Sequence, residues 1–438
     1  MDISRSKQNN LLNRLFKLEE RKTNVRQEFI GGLTTFLTMA YIIFVHPSIL
    51  ANTGMDRGAL ITVTCLSAIV GSLISAFWAN APLALAPGMG LNAFFTYTLV
   101  LGQGLAWETA LGVVFLSGIF FLILSIGGIR EKIANSIPKS LKVAVTAGIG
   151  LFMAFIGLKS LGLVVGNSAT LVSLGSFTLP VVLGLFGLII SLILELRGIK
   201  GGIIIGMLAS TIIGIFFGIV EMPSALISMP PSISPIAFKL DIIGALKLSL
   251  LGPIFSFMFV DLFDSLGTLI ACAKEIGLED ENGEIKSLGK MLHTDVTSTI
   301  IGSLLGTSTV TTLSETAAGI SAGARTGLAS LFIGFFFFLS MFFTPIIGVI
   351  PAFATSPALI IVGVYMFKNI IDINFHDFKE AIPVFVTLLL MPLTYSISIG
   401  LSFGFLTYII VHAGTGDFKK INPMLWFVGL LCFINLVI

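Results

Sequence analysis

Residues Gly306–Arg325 read GTSTVTTLSETAAGISAGAR, and this stretch decides how the chain folds. Its first half, Thr307 to Thr312, consists of Thr, Ser and Val, which favours an extended strand over a helix. Its second half, from Glu315 onward, is rich in Ala, Gly and Ser, the small residues that let membrane helices pack closely. Ser314, directly before the carboxylate Glu315, is a residue type typical of a helix N-cap. We therefore predict a short strand, then a short helix, with an ionisable group at the junction.

A broken element with an ionisable group at its break is how secondary transporters build a binding site near the middle of the membrane. Irregular backbone is stable at membrane depth only where it is buried in protein or lines a polar cavity. The stretch therefore predicts a transporter, and it predicts that this segment forms one half of the binding site.

The whole chain has the composition of a membrane protein. Of its 438 residues, 55% are hydrophobic and 11% are charged, and the mean hydropathy is +1.02. A water-soluble protein carries about 25% charged residues. The apolar runs Leu111–Ile126 and Gly327–Gly348 approach or reach the roughly 20 residues that cross a bilayer. A soluble all-helical protein is therefore excluded, and the net charge of +2 gives no sign of binding to nucleic acid.

We predict an all-α, polytopic membrane protein with fourteen transmembrane segments. The apolar runs between polar breaks place these segments at residues 29–50, 58–79, 82–101, 107–127, 138–160, 180–196, 202–220, 246–272, 288–305, 307–323, 327–349, 351–370, 379–396 and 398–413. The segment at 307–323 is the broken one described above, and it is the tenth in this count.

The basic residues predict the orientation of the chain. Residues 1–28 hold seven Lys and Arg side chains and lack the apolar core of a cleavable signal peptide. The positive-inside rule places this end in the cytoplasm, and fourteen crossings return the C-terminus to the same side. Residues 414–438 are expected at the cytoplasmic interface, because the apolar run Met424–Ile438 is too short to cross. We expect a multi-pass protein of the cytoplasmic membrane.

Two short motifs recur in the same order in both halves. Ile69–Ile74 (IVGSLI) resembles Ile300–Leu305 (IIGSLL), and each precedes a broken segment. Ile137-Pro138 opens the fifth segment much as Ile350-Pro351 opens the twelfth. Seven segments is an odd number, so a second copy enters the membrane inverted relative to the first. We predict two inverted repeats of seven segments each.

The repeat predicts a partner for the tenth segment, and the third segment supplies it. Residues Ala81–Thr98 read APLALAPGMGLNAFFTYT. Pro87 removes a backbone donor, and Gly88 and Gly90 loosen the chain, so a continuous helix is not expected here. We predict a short strand and then a helix, with the N-termini of the two half-helices, and their positive dipole ends, facing one cavity. The alternative is a proline kink in an ordinary segment.

The eighth segment carries the other unexpected charges. Asp261, Asp264, Ser265 and Thr268 are spaced to share one helical face. Each carboxylate costs about 2.5–3.5 kcal/mol at the centre of an inserted helix. The interiors of the third, eighth and tenth segments contain no Lys or Arg. Such a site suits a neutral ligand rich in N–H donors, a cation or a proton, and it does not suit a permanent anion; a buried structural pair of carboxylates is the alternative.

Four stretches resemble the AzgA-like purine permease branch of the nucleobase–ascorbate transporter superfamily. They are Phe29–Leu50 (FIGGLTTFLTMAYIIFVHPSIL), Ala84–Phe95 (ALAPGMGLNAFF), Asp261–Leu269 (DLFDSLGTL) and Ser314–Leu328 (SETAAGISAGARTGL). The resemblance implies fourteen segments divided into a core domain and a gate domain. We assign residues 29–127 and 246–349 to the core, and residues 138–220 and 351–413 to the gate. The resemblance also implies proton-coupled uptake of hypoxanthine, guanine or adenine.

The resemblance also implies roles for individual residues. Glu315 matches the substrate-binding glutamate of the family and Asp264 the carboxylate of the eighth segment, while Asp261, Thr268 and Asn92 match positions linked to binding or transport. The half-helix starts add further candidates for purine binding: Met89, Gly90, Ser314 and Thr316. Candidates for stacking on a flat base are Phe94, Phe95, Phe259 and Phe263. Two neighbouring carboxylates do not both ionise easily, so we predict Asp264 as the preferred proton site, with Asp261 as modulator and Glu315 as next candidate.

Two other functions stay open at this point. The first is an anion transporter or channel of the same architecture, and the second is an intramembrane enzyme with Asp261 and Asp264 as an aspartic dyad. Three residues apart on one helix is poor geometry for such a dyad, so we expect no enzyme. We expect no metal and no cofactor besides the coupling proton. The four His residues are expected at segment ends or in loops, and a homodimer, the preferred purine and sodium as coupling ion stay open.

Overall fold

The computed structural model describes residues 11–125, 136–279, 285 and 287–437, without the side chains of Phe263 and Asp264. In this part of the chain the protein is a bundle of helices with two small two-stranded sheets. The described residues contain nine continuous helical stretches, some of which join adjacent helices, that are long and apolar enough to cross a membrane. These helices confirm a multi-pass integral membrane protein.

The helices follow one another closely along the chain. Their bounds are Val25–Met39, Ile42–Leu50, Arg57–Ile74, Met89–Ala93, Leu101–Gln103, Trp107–Ser125, Lys139–Leu161, Leu179–Leu196, Gly202–Phe216, Ile242–Ala245, Leu251–Glu275, Leu288–Leu305, Thr316–Ser321, Gly327–Ser340, Thr344–Val349, Ala352–Phe367, Phe378–Leu393, Ile397–Gly414 and Pro423–Val437. Two π-helical turns, Ser75–Ala79 and Phe94–Val100, interrupt or extend them, and the short 3₁₀ turns are Ala51–Thr53, Leu248–Leu250, Met341–Phe343, Lys368–Asp372 and Phe418–Lys420.

Some boundaries differ from the sequence-based expectations. The first helix begins at Val25 and not at residue 29, because the side chain of Asn24 caps it by accepting a hydrogen bond from the Gln27 amide at 3.0 Å. A surface hairpin of β2 (Val164–Asn167) and β3 (Leu171–Leu174), which the sequence analysis did not predict, follows the helix Lys139–Leu161.

The two broken segments are confirmed, and they pair with each other. β1 (Leu85–Pro87) lies antiparallel to β4 (Val310–Thr312), and all six residues of this pair are buried. Each strand is followed by a short helix, Met89–Ala93 in one segment and Thr316–Ser321 in the other. The backbone polar groups that each break releases are therefore satisfied by the other break, as a membrane interior requires.

The recurring sequence motif has a physical reason in this pairing. A Cβ on Gly71 would lie 2.7 Å from Leu85 Cβ, and a Cβ on Gly302 would lie 2.5 Å from Val310 Cγ2. The glycine of each motif thus lets an 18-residue helix pack directly against the strand of its own broken segment. The two halves use the same residue type at the same contact.

We predict that Gly302→Ala destabilises the protein. The added methyl overpacks the contact with Val310, which costs about 1–3 kcal/mol in a well-packed interior. Gly289→Ala on the same helix is the matched control, since a Cβ there meets nothing within 4 Å. Thermal unfolding of the purified proteins in one detergent checks this. An equal or higher melting temperature for Gly302→Ala than for the control would contradict the packing described here.

Candidate functional site

Glu315 stands where the second broken segment turns from strand into helix. It occupies the N-cap position of the helix Thr316–Ser321, and its side chain is half-buried. The Tyr41 hydroxyl donates a hydrogen bond to Glu315 Oε1 at 2.7 Å, and the Ser314 hydroxyl donates to Oε2 at 3.3 Å. Two hydroxyl donors therefore hold this carboxylate at the edge of the described protein, with part of its surface accessible to a ligand.

The expected N-cap of this helix is wrong, and the first amides of the helix already have partners. Ser314 is not the N-cap; its hydroxyl bonds the neighbouring carboxylate instead. The amides of Thr316 and Ala317 are not free for a ligand, because they donate to the carbonyls of Leu313 and Ser314, both at 3.1 Å. A tight turn directly after β4 uses these donors, so the carboxylate itself is the accessible group.

Tyr41 is a candidate site residue that sequence reasoning missed. It lies in the short break between the helices Val25–Met39 and Ile42–Leu50, and it is 2% exposed. A single tyrosine within an apolar segment carries no local signal of function. Only the fold brings its hydroxyl to Glu315, 274 positions away in the chain.

Small residues form a surface that leads away from Glu315. Ser314, Ala317 and Ser321 are exposed on the short helix, and Gly267 and Ala271 are exposed on the helix Leu251–Glu275. The two helices meet where the Ser321 hydroxyl donates to a carboxylate oxygen of Glu275 at 3.0 Å. The surface thus runs from Glu315 to the C-terminal end of the eighth-segment helix.

The polar face of the eighth segment lies in part behind this surface. Asp261 is 3% exposed, and it accepts a long hydrogen bond of 3.4 Å from the buried Ser265 hydroxyl. Thr268 is half-buried. The predicted proton site Asp264 lies on the same helix, but its side chain is outside the described part of the structure, so its role stays a prediction.

The site candidates of the third segment hold the two broken segments together. Asn92 is fully buried, and its side-chain carbonyl accepts a hydrogen bond from the Ser308 hydroxyl. Its amide group lies 3.9 Å from the sulfur of Met89. A Cβ on Gly90 would lie 2.5 Å from Ile149 Cγ2, so this glycine permits close packing between the predicted core and gate.

Thr316 also connects the two broken segments. Its hydroxyl, fully buried, accepts a hydrogen bond from the Ala84 amide at 3.0 Å. The Leu313 amide donates to the Ala84 carbonyl at 2.9 Å and so extends the strand pair. Thr316 therefore positions Glu315 relative to the third segment.

The aromatic side chains that are candidates for stacking on a base are buried rather than exposed. Phe94, Phe95 and Phe259 are each at most 1% exposed. Phe94 packs on Phe257 with ring centroids 4.8 Å apart, and Phe259 packs on Phe405 at 5.7 Å. The side chain of Phe263 lies outside the described part. The described rings thus form walls of the core, and their role in stacking stays a prediction.

At the C-terminal end of the third segment, contacts join the predicted core to the predicted gate. The Thr98 hydroxyl donates to the Tyr395 carbonyl at 2.9 Å, and the Tyr97 and Tyr395 rings meet edge to face at 5.9 Å. Lys159 Nζ lies 4.6 Å from the centre of the Tyr395 ring. Tyr395 has a φ of 56°, which costs energy for a residue with a side chain, so these contacts stabilise an unfavourable backbone.

The charged groups beyond the short helix have structural partners. Arg325 Nη1 donates to the Ile320 carbonyl at 2.6 Å and to the Ala324 carbonyl at 2.7 Å, as basic side chains near a helix C-terminus often do. The buried Glu28 carboxylate accepts the amides of Arg325 and Thr326 at 2.9 and 3.2 Å. These bonds fix the end of the second broken segment to the first helix.

Two of the four His residues are not interfacial as expected. His46 is fully buried: Nδ1 lies 2.7 Å from Thr64 Oγ1 and Nε2 lies 2.9 Å from Thr307 Oγ1. The Thr64 hydroxyl donates to the Leu60 carbonyl at 2.6 Å, so Nδ1 is the donor to Thr64 and Nε2 accepts from Thr307. A neutral ring therefore anchors the start of the second broken segment.

His412 is also fully buried, beneath a cluster of charges at the end of the helix Ile397–Gly414. Its Nε2 lies 3.7 Å from a carboxylate oxygen of Glu380 and its Nδ1 lies 4.0 Å from one of Asp417. The hydrogen bond from Lys379 Nζ, at 2.5 Å, holds the pKa of Asp417 below its usual value. The residues of this cluster are different from those that contact Glu315.

Several known proteins resemble this chain over nearly its whole length. The sequence profile of a family described as the permease family matches residues 26–417. An adenine permease of Escherichia coli (strain K12), AdeP, is 42% identical over 428 residues, which cover 98% of this chain and 96% of that protein. The guanine/hypoxanthine permease PbuG of Bacillus subtilis (strain 168) is 42% identical over 423 residues, which cover 94% and 96%.

A solved structure has a similar fold. The transmembrane domain of the cyanobacterial bicarbonate transporter BicA superposes with a TM-score of 0.65 over 86% of this chain and 97% of that domain. The sequence identity is 16%, so this likeness shows a shared fold and does not transfer a substrate.

Proposed function

Because this chain belongs to the permease family of nucleobase transporters, we propose that it carries purine nucleobases across the cytoplasmic membrane together with protons. The family membership makes it a permease and not an enzyme, which answers the aspartic-dyad alternative. The adenine and guanine/hypoxanthine permeases among its relatives support a purine as substrate. Alternating access in a fold of fourteen segments, with inverted repeats and with the core and gate domains defined above, is the mechanism we propose.

The observation that carries the proposal is the half-buried carboxylate of Glu315 beside a buried tyrosine. Purines present ring N–H donors next to acceptors, and a carboxylate accepts such donors in strong, charge-assisted hydrogen bonds. The Tyr41 hydroxyl donates to Oε1 and the Ser314 hydroxyl to Oε2, and each carboxylate oxygen keeps a second lone pair for a ligand. A carboxylate facing the ligand disfavours a permanent anion, so the fold shared with a bicarbonate transporter does not favour an anion here.

Core and gate are in contact at one end of the protein and leave residues exposed at the other, and this difference supports alternating access. Tyr97 and Thr98 of the core contact Tyr395 of the gate at one end, while Ser314 and Ser321 are exposed toward the other. With the orientation expected from the basic residues, the closed end faces outward and the open end faces the cytoplasm. We therefore interpret this arrangement as an inward-facing state of the transporter.

Coupling to protons rests on the carboxylates of the site. Asp264 is the preferred proton site, with Asp261 and Glu315 as its neighbours in the proposed cycle. A protonated group is neutral and lowers the cost of moving the core through the membrane. Of these three, Glu315 is the one whose described side chain is accessible from the open end.

We predict that Glu315→Gln weakens purine binding by roughly 10- to 150-fold. Loss of a charge-assisted hydrogen bond costs about 1.5–3 kcal/mol. The amide oxygen still accepts from Tyr41, so the variant keeps its fold. Binding of labelled adenine and hypoxanthine to the purified protein measures the effect, with the exposed Glu221→Gln as control. Wild-type affinity in purified Glu315→Gln would remove this residue from the site.

The orientation has its own test. In a chain without Cys65, Cys272 and Cys432, we expect Gln103→Cys to react with an impermeant thiol reagent added outside intact cells. Thr415→Cys is expected to react only after the membrane is opened. Both positions are exposed, so a difference reports the side of the membrane and not burial. The reverse pattern of labelling would overturn the orientation.

A further inference from the structure

A second tyrosine–carboxylate pair lies on the gate side of the opening. The Tyr365 hydroxyl donates a hydrogen bond to Glu195 Oε2 at 2.6 Å, close in length to the 2.7 Å bond from Tyr41 to Glu315. Glu195 belongs to the last turn of the helix Leu179–Leu196. Tyr365 belongs to the neighbouring helix Ala352–Phe367 and is 47% exposed.

This carboxylate is in an unfavourable position for a purely structural group. The C-terminal end of a helix carries partial negative charge, so an acidic side chain in the last turn is destabilising. Within the described residues, no Lys or Arg lies within ion-pair distance of Glu195. Among the described residues its hydrogen-bond donor is the neutral Tyr365 hydroxyl on Oε2, and Oε1 accepts from none of them.

The pair lies beside the site in the core. Gly201, just after the helix of Glu195, approaches the first helix so closely that a Cβ there would lie 3.3 Å from the Leu37 carbonyl oxygen. Leu37 precedes Tyr41 by about one helical turn. Glu315 is within Coulombic range of Glu195, and the charges of both carboxylates act on Tyr365. The neighbouring helix Gly202–Phe216 carries no titratable side chain.

We propose that Glu195, positioned by Tyr365, accepts the coupling proton on the cytoplasmic side after the purine has left and the proton has passed to the Glu315 carboxyl. The inference rests on the proton coupling proposed above. An O–H bond at Glu315 breaks and one forms at Glu195 Oε1, with water in the opening as carrier. The summed charge of the two groups does not change, and Tyr365 keeps its bond to Oε2. Glu195 then releases the proton to the cytoplasm.

The transfer has a consequence for the transport cycle. A carrier that exchanges internal for external purine returns with purine and proton bound, so it needs no proton release. Net uptake requires release in every cycle. A defect confined to proton release therefore lowers net uptake and leaves exchange intact.

The test uses the purified full chain in proteoliposomes, with labelled adenine and labelled hypoxanthine as probes. Net uptake driven by an imposed pH gradient is compared with exchange at equal pH on both sides. Glu195→Gln is expected to lower net uptake about 10-fold or more, while exchange stays within about twofold. Glu195→Asp keeps a carboxylate and is expected to retain net uptake, and Glu221→Gln is the exposed control.

Tyr365→Phe tests the positioning role. Loss of the hydroxyl is expected to lower net uptake less than Glu195→Gln does and to move the internal pH at which net uptake is half-maximal. A merely structural role would not move this pH profile.

The outcomes separate this inference from the function it rests on. Wild-type net uptake by Glu195→Gln would overturn the role of Glu195 while the purine permease stands. Loss of exchange together with net uptake, in Glu195→Asp as well, would make this region necessary for translocation itself and would also overturn it. Proton-independent purine uptake by the wild type would remove the coupling and this inference with it. Absence of any purine transport by the wild type would contradict the proposed function.

Discussion

The pairing of two broken segments is the constraint on which the site depends. Breaking a helix inside a membrane releases backbone N–H and C=O groups that lipid cannot satisfy. Here the break at Leu85–Pro87 and the break at Val310–Thr312 satisfy each other through an antiparallel strand pair. The Thr316 hydroxyl and the Ser308–Asn92 bond extend this pairing at both ends. Each irregular stretch is stable only because the other is present, so the candidate site groups are held by the fold and not by local preference.

The same arrangement explains why a carboxylate stands at the break. In the turn after β4 the first amides of the following helix donate to backbone carbonyls. The Glu315 carboxylate stays accessible beside them. Tyr41 holds one of its oxygens without supplying a positive charge. Within the described residues no Lys or Arg forms an ion pair with Glu315, and an acceptor of this kind suits N–H donors or a proton better than an anion. The chemistry of this position therefore differs from that expected for a carrier of bicarbonate, although the fold is shared.

Local sequence predicted the broken segments because their signals are local. Pro87 and the glycines around it disfavour a helix wherever they occur, and the Thr-rich stretch before Glu315 favours a strand in any context. The repeated glycine motif was visible as well, although its reason, contact with a strand, required the structure. The membrane class followed from composition alone.

What sequence reasoning missed depends on contacts between distant parts of the chain. Tyr41 becomes a candidate site residue only when the fold brings it to Glu315. His46 looked like an interfacial residue, because nothing in its neighbourhood predicts two threonines at its ring nitrogens. Ser314 had the residue type of an N-cap, but the turn after β4 left it beside a carboxylate that its hydroxyl bonds instead.

Uptake by competition tests the central claim most directly. Cells or proteoliposomes that contain the protein are given labelled hypoxanthine or labelled adenine, with excess unlabelled adenine, guanine, xanthine or uracil, and with or without a protonophore. A proton-coupled purine permease is expected to show saturable uptake that purines inhibit, that uracil leaves unchanged, and that the protonophore abolishes. Absence of purine uptake, with transport of an anion such as bicarbonate in its place, would contradict it.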